Sequence, residues 1–121
     1  MIVGLGVDVV EISRVNDKLA MKILSAHEQR LWEKRKNKKE FLAGRFALKE
    51  AFFKALGTGI RYYKFKDISF IPNSLGKITL EENDVLKEIR KRYEFENIHA
   101  SLSHDGGVAM AVVIIEREGF K

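Results

Sequence analysis

From Arg45 to Gly57 the chain reads Arg-Phe-Ala-Leu-Lys-Glu-Ala-Phe-Phe-Lys-Ala-Leu-Gly, apolar enough for a buried helix yet carrying Arg45, Lys49, Glu50 and Lys54. An ion taken out of water is costly unless it is paired, so a fold that buries this helix must supply partners for its charges. Helical geometry brings Arg45, Lys49 and Phe53 near one another and sets Glu50 beside Lys54 at i, i+4. A carboxylate and an ammonium on one face suit phosphate and metal chemistry. The same spacing is also that of an ordinary surface pair worth about 0.3 to 0.5 kcal/mol.

The N-terminus, Met1-Ile2-Val3-Gly4-Leu5-Gly6-Val7-Asp8-Val9-Val10, alternates as a strand does, with Val3, Leu5, Val7 and Val9 on one face and Gly4, Gly6 and Asp8 on the other. Two glycines beside one acid leave room for a close approach to the backbone, and the carboxylate needs a partner. Asp8 fits either a ligand role or a cap for the next helix, although Glu11, Ser13 and Asn16 lie closer to that helix start.

A third segment, His99-Ala100-Ser101-Leu102-Ser103-His104-Asp105-Gly106-Gly107, runs into Val108-Ala109-Met110-Ala111-Val112-Val113-Ile114-Ile115. Asp-Gly between two such runs predicts a hairpin with His104 at the turn. Both faces of the last strand are apolar, which predicts burial on both sides.

Between these blocks the pattern predicts a strand over 2–9 and a helix over 12–22. A second helix starts at the capping-box sequence Ser25-Ala26-His27-Glu28, and a third over 39–56 is closed by Gly57. Residues 67–71 and 76–80 form a hairpin around Pro72-Asn73-Ser74-Leu75, and Val85, Leu86, Ile89 and Tyr93 stripe a fourth helix. The class is α+β, with a small antiparallel sheet packed with helices in one domain over 1–121. Arg14, Lys18 and Lys22 recur every four residues as a basic ridge with Met21 nearby, and Lys34–Lys39 reads as a solvated connection. Tyr62, Tyr63, Phe65 and Trp32 read as packing aromatics.

Among 121 residues there is no cysteine, which excludes disulfides and thiolate metal sites, and the net charge of +5 implies an anionic partner. No secretory or membrane-length apolar run is present, so a cytoplasmic protein without a membrane role is expected. Gly57-Thr58-Gly59 lacks the GxxxxGK[ST] pattern and follows a helix, so Gly57 reads as a helix cap.

The three blocks together resemble the holo-acyl-carrier-protein synthases, the small type of 4′-phosphopantetheinyl transferase. The resemblance is carried by Gly4-Leu5-Gly6-Val7-Asp8, by Glu40 to Ala47 through Lys49-Glu50-Ala51 to Lys54-Ala55-Leu56-Gly57-Thr58-Gly59, and by Ser101-Leu102-Ser103-His104. Gly76-Lys77-Ile78 stands where such proteins commonly have Gly-Lys-Pro. The resemblance implies transfer of the 4′-phosphopantetheine arm of coenzyme A to a serine of apo acyl carrier protein, releasing adenosine 3′,5′-bisphosphate, in service of fatty acid synthesis. It implies that Asp8 and Glu50 hold Mg²⁺, that Glu50 is a candidate base and that Lys54 faces the phosphates. It further implies that Arg45, Lys49 and His104, with the turn Gly57, Thr58 and Gly59, lie at the coenzyme. Arg14, Lys18, Met21 and Lys22 would dock an acidic carrier protein, and the active unit would be a homotrimer. A small basic nucleic-acid-binding module would also explain the charge, but no RRM, KH or helix-turn-helix signature is legible. A noncatalytic domain with Asp8, Glu50 and Lys54 as an ion network is the other alternative.

Overall fold

Strand β1 (Ile2–Glu11) carries the glycine face of the N-terminus against a single long helix, and the rest of the chain is arranged around that contact. The computed structural model describes residues 1–57 and 62–119. After β1 come a 3₁₀ turn at Ile12–Arg14, α1 (Asp17–Ile23), α2 (Ala26–Glu33) and the long α3 (Lys38–Leu56). A second 3₁₀ turn at Phe65–Asp67 leads to β2 (Phe70–Pro72), β3 (Ile78–Leu80), α4 (Asp84–Tyr93), β4 (Asn97–Asp105) and β5 (Val108–Glu116). Among the described residues the main sheet has the order β1-β5-β4, antiparallel throughout, and β2 pairs with β3 in a separate ribbon. This is the expected α+β class.

What approaches the strand closely is α3 itself. A Cβ on Gly4 would run into the carbonyl oxygen of Ala55, and one on Gly6 into that of Ala51. Only glycine lets strand and helix backbones touch here. Because side chains alternate, the same face delivers Asp8 to α3, while Leu5, Val7 and Val9 point away and are 60%, 46% and 57% exposed. On β5, Ala109, Ala111, Val113 and Ile115 are the buried set, and Met110 on the other face is 50% exposed. The register places Leu5 opposite Ile114, Val7 opposite Val112 and Val9 opposite Met110, so one apolar stripe crosses the outer face of the sheet.

Inside, Phe46, Phe65, Phe53, Phe52 and Phe70 form an edge-to-face series with ring centroids 5.4 to 6.5 Å apart, running from α3 to β2. Phe65 is thus a packing aromatic, but Tyr62 is 60% exposed with the Arg92 guanidinium 4.3 Å from its ring centroid. The capping box at Ser25 and Glu28 is present, and Gly57 ends α3 in the left-handed region at φ 86°.

The first helix differs from expectation. No continuous helix covers 12–22, because β1 runs on to Glu11 and the Ile12 amide still pairs with the carbonyl of Gly107. Asn16 then caps α1 by accepting from the Leu19 amide, which sets the helix start one residue later at Asp17. The ridge of Arg14, Lys18 and Lys22 is therefore broken: Arg14 sits on the 3₁₀ turn, paired with Glu11 at 2.9 Å, and the two lysines stay on α1.

Candidate active site

Asp8 reaches the solvent end of the strand–helix contact, where Lys54 Nζ donates to its Oδ1 at 2.8 Å and to the carbonyl of Val7 at 3.1 Å. Glu50, one turn earlier on α3, lines an open cleft of about 370 Å³ together with Asp8, Arg14, Leu19 and Phe46. Burial pushes the Glu50 carboxyl above the usual carboxylate range, the negative charge of Asp8 adds to the rise, and Lys54 opposes it. A carboxylate whose ionisation is disfavoured beside a second one suits a hard divalent cation. Among the described residues no group of three or more His, Cys, Asp or Glu side chains forms a metal cluster, so a cation here would take its remaining ligands from water or substrate oxygens.

A larger cleft of about 570 Å³ lies at the other end of α3, lined by Arg45 and His104 with Glu40, Phe41, Gly76 and Leu102. Arg45 is 3% exposed, donates from Nε to the carbonyl of Phe70 at 2.9 Å, and stacks over Phe41 with Cζ 4.2 Å from the ring centroid. Its Nη2 is buried and has no hydrogen-bond partner among the described residues. Burial lowers its pKa to about 10, Glu28 opposes that shift and Arg35 adds to it. His104 belongs to β4 rather than to the turn, opposite Ala109, and its Nδ1 lies 3.7 Å from Glu40 Oε1.

Lys49 is a correction. Expected at the coenzyme, it is fully buried, and its ammonium is consumed by Glu28 Oε1 at 2.5 Å and the carbonyls of Ile23, Phe65 and Ile68. Desolvation lowers its pKa, with Glu28 opposing. The structure brings Lys54, Asp8 and Glu50 together where β1 meets α3, and Arg45 and His104 into one cleft. Gly57 is the exposed cap of α3, whereas Thr58 and Gly59 lie outside the described residues. Lys18 and Lys22 are exposed, as is Met21 at 57%, and of the four predicted docking residues Arg14 lines the Asp8 cleft. Arg35 and Lys36, expected in a solvated connection, both line the Arg45 cleft, with the Arg35 guanidinium 5.0 Å from the Phe41 centroid. Their spacing from Arg45 in sequence gives no sign of this.

Residues 4–113, which include Asp8, all of α3 and His104, match the model of the 4′-phosphopantetheinyl transferase superfamily. The chain belongs to that superfamily. Its similarity extends to a holo-[acyl-carrier-protein] synthase of Thermotoga maritima, 48% identical over 120 residues covering 98% of this chain and 66% of that longer relative. The crystal structure of that synthase superposes with a TM-score of 0.83, covering 98% of this chain and 66% of the other. The Neisseria meningitidis holo-[acyl-carrier-protein] synthase superposes with a TM-score of 0.89 at 30% identity, covering 97% of this chain and all of the other. A Bacillus anthracis holo-(acyl-carrier-protein) synthase in complex with CoA (3′,5′-ADP) gives a TM-score of 0.81 at 35% identity, covering 98% and 99% of the two chains.

Proposed function

We propose that residues 1–121 form one transferase domain that moves the 4′-phosphopantetheine group of coenzyme A onto a serine hydroxyl of apo acyl carrier protein. The observation that carries this reading is the meeting of Asp8, Glu50 and Lys54 where β1 touches α3, in a chain of this superfamily. In the reaction the serine oxygen forms a new P–O bond, the pyrophosphate bridge breaks, and adenosine 3′,5′-bisphosphate leaves with the bond's electron pair. The nucleophile belongs to the partner, so this chain's task is positioning and charge compensation.

Glu50 is the proposed acceptor for the serine proton, since its upward-shifted pKa makes its carboxylate a stronger base than an ordinary glutamate. The exposed ammonium of Lys54 offsets charge on the departing phosphate. Arg45 and His104 bind coenzyme phosphates in their cleft, in line with the CoA complex of the Bacillus anthracis relative. Asp8 and Glu50 would hold Mg²⁺, which when bound neutralises pyrophosphate charge and leaves ligand positions for phosphate oxygens.

Arg14 at the rim of the Asp8 cleft, with Lys18, Met21 and Lys22 on α1, forms the proposed docking surface for an acidic carrier protein of fatty acid synthesis. No described helix is long and apolar enough to cross a membrane, and we place the reaction in the cytoplasm. The outer sheet stripe supports a homotrimer in which neighbouring copies cover it. The decisive assay is mass spectrometry of apo acyl carrier protein incubated with the chain, coenzyme A and Mg²⁺. A phosphopantetheine mass gain is expected; an unmodified carrier would overturn the reading.

A further inference from the structure

Glu28 begins as a helix-capping residue, its Oε1 accepting from the Ser25 amide at 2.9 Å. A capping carboxylate normally stays at the surface. This one is fully buried and accepts two further bonds, from Lys49 Nζ on Oε1 and from the Phe70 amide on Oε2 at 2.8 Å. Lys49 in turn donates to the carbonyls of Ile23, Phe65 and Ile68 at 2.6 to 2.8 Å. One ion pair therefore ties the end of α1, the start of α2, the middle of α3 and the entry to β2.

The far side of Phe70 completes a chain of contacts. Its N–H is held by Glu28, and its carbonyl accepts from Arg45 Nε at 2.9 Å. The Glu28 carboxylate stands between the cations Lys49 and Arg45, Asp67 adds negative charge near Lys49, and Glu40 lines the Arg45 cleft together with Arg35 and Lys36. Lys49 has the direct contact with Glu28, whereas Arg45 lines the cleft it shares with His104, and its buried Nη2 has no partner among the described residues. An anion entering that cleft would meet Arg35, Lys36 and Arg45, which outnumber Glu40 in its lining.

We propose that Glu28 and Lys49 are positioning residues for the coenzyme: by clamping Phe70 they fix the Arg45 guanidinium at the wall of the cleft that takes a phosphate of coenzyme A. This rests on the transferase reading of the cleft. A purely structural ion pair would hold the same elements together but would have no particular effect on Arg45.

The test is a double-mutant cycle read by calorimetric binding of coenzyme A, with thermal melting of every variant. Glu28→Gln with Lys49→Met keeps the volumes and removes both charges together. It is expected to weaken coenzyme A about tenfold, the size of one charge-assisted hydrogen bond, with carrier-protein KM unchanged. In an Arg45→Lys background, which lacks the Nε donor geometry, the same pair should change affinity by less than about twofold. Native affinity in the folded paired variant, or an equal loss in both backgrounds, would overturn the inference while leaving the transferase reading intact. An unaltered chain that binds no coenzyme A would overturn the transferase reading, and the inference with it. Independently of any variant, the Arg45 Nε–H resonance of the unliganded protein should be protected from solvent exchange. Rapid exchange there would refute the clamp.

Discussion

Lys54 Nζ and Asp8 Oδ1 meet at 2.8 Å although 46 residues separate them in sequence, and the contact sits where strand and helix backbones are closest. The lysine side chain is 52% exposed and the aspartate 15%, so solvent weakens the pair. Pairs of this kind contribute at most about 1 kcal/mol to stability. Lys54→Met should consequently leave the melting temperature almost unchanged while lowering turnover by about 10² to 10³. Melting curves and kcat measured on the same preparation check this. A drop in stability matching that of a core deletion would make Lys54 a structural residue instead.

The raised Glu50 carboxyl gives a pH dependence of definite sign. A carboxyl shifted upward is protonated at a pH where an ordinary glutamate is already ionised, and a proton there competes with a cation. Mg²⁺ affinity and turnover should both fall on acidification, beginning above the usual glutamate range. Chelation should abolish transfer and added Mg²⁺ restore it. Calorimetric Mg²⁺ titration across pH measures the effect; full activity after exhaustive chelation would remove the metal from the site.

The residues proposed to carry chemistry stand out in the sequence, because an acid in an apolar strand or a Glu-Lys pair in an apolar helix contrasts with its neighbours. Relationships at long sequence range were not. Lys49 looked like a phosphate ligand because its partner Glu28 lies 21 residues earlier, disguised as a capping residue. A helix over 12–22 is what the apolar residues Ile12, Val15 and Leu19 predict, but that spacing continues across two conformations, and the strand extension depends on pairing with Gly107. Periodicity also left the orientation of β1 undecided. The helix packs on the glycine side, so the more apolar face is the one turned outward.

That packing makes Gly6 sensitive to a single methyl group. Its Cβ would strike the Ala51 carbonyl, a backbone atom that cannot swing away. Gly6→Ala should cost about 3 kcal/mol and reduce activity by moving Asp8 off α3. Gly76→Ala is the control: nothing lies within 4 Å of its Cβ position, and only the left-handed φ of 83° opposes the change, at about 1 kcal/mol. Chemical denaturation of the two variants gives the comparison.

Arg14 is 80% exposed and lines the cleft that holds Asp8 and Glu50. Reversing its charge should repel an acidic partner on approach and mainly slow association. For Arg14→Glu, carrier-protein KM is expected to rise at low ionic strength, with the difference shrinking as salt is added and coenzyme A affinity unchanged. An unchanged KM at low salt would place carrier docking elsewhere.

The outer face of the sheet predicts assembly. Leu5 beside Ile114, Val7 beside Val112 and Val9 beside Met110 make a contiguous apolar surface of a kind that isolated chains seldom leave in water. Closed rotational symmetry would cover the stripe in every copy alike, which fits the proposed trimer, and we propose that each site is built between neighbouring copies. Ile114 is on the outward face, whereas Ile115 is 2% exposed and packs in the core with Phe52 and Val113. Ile114→Lys should therefore yield folded monomers that have lost transfer activity, while Ile115→Lys should unfold the chain outright. Light scattering run alongside the transfer assay separates the cases. A fully active Ile114→Lys monomer at assay concentration would show that each chain builds its site alone.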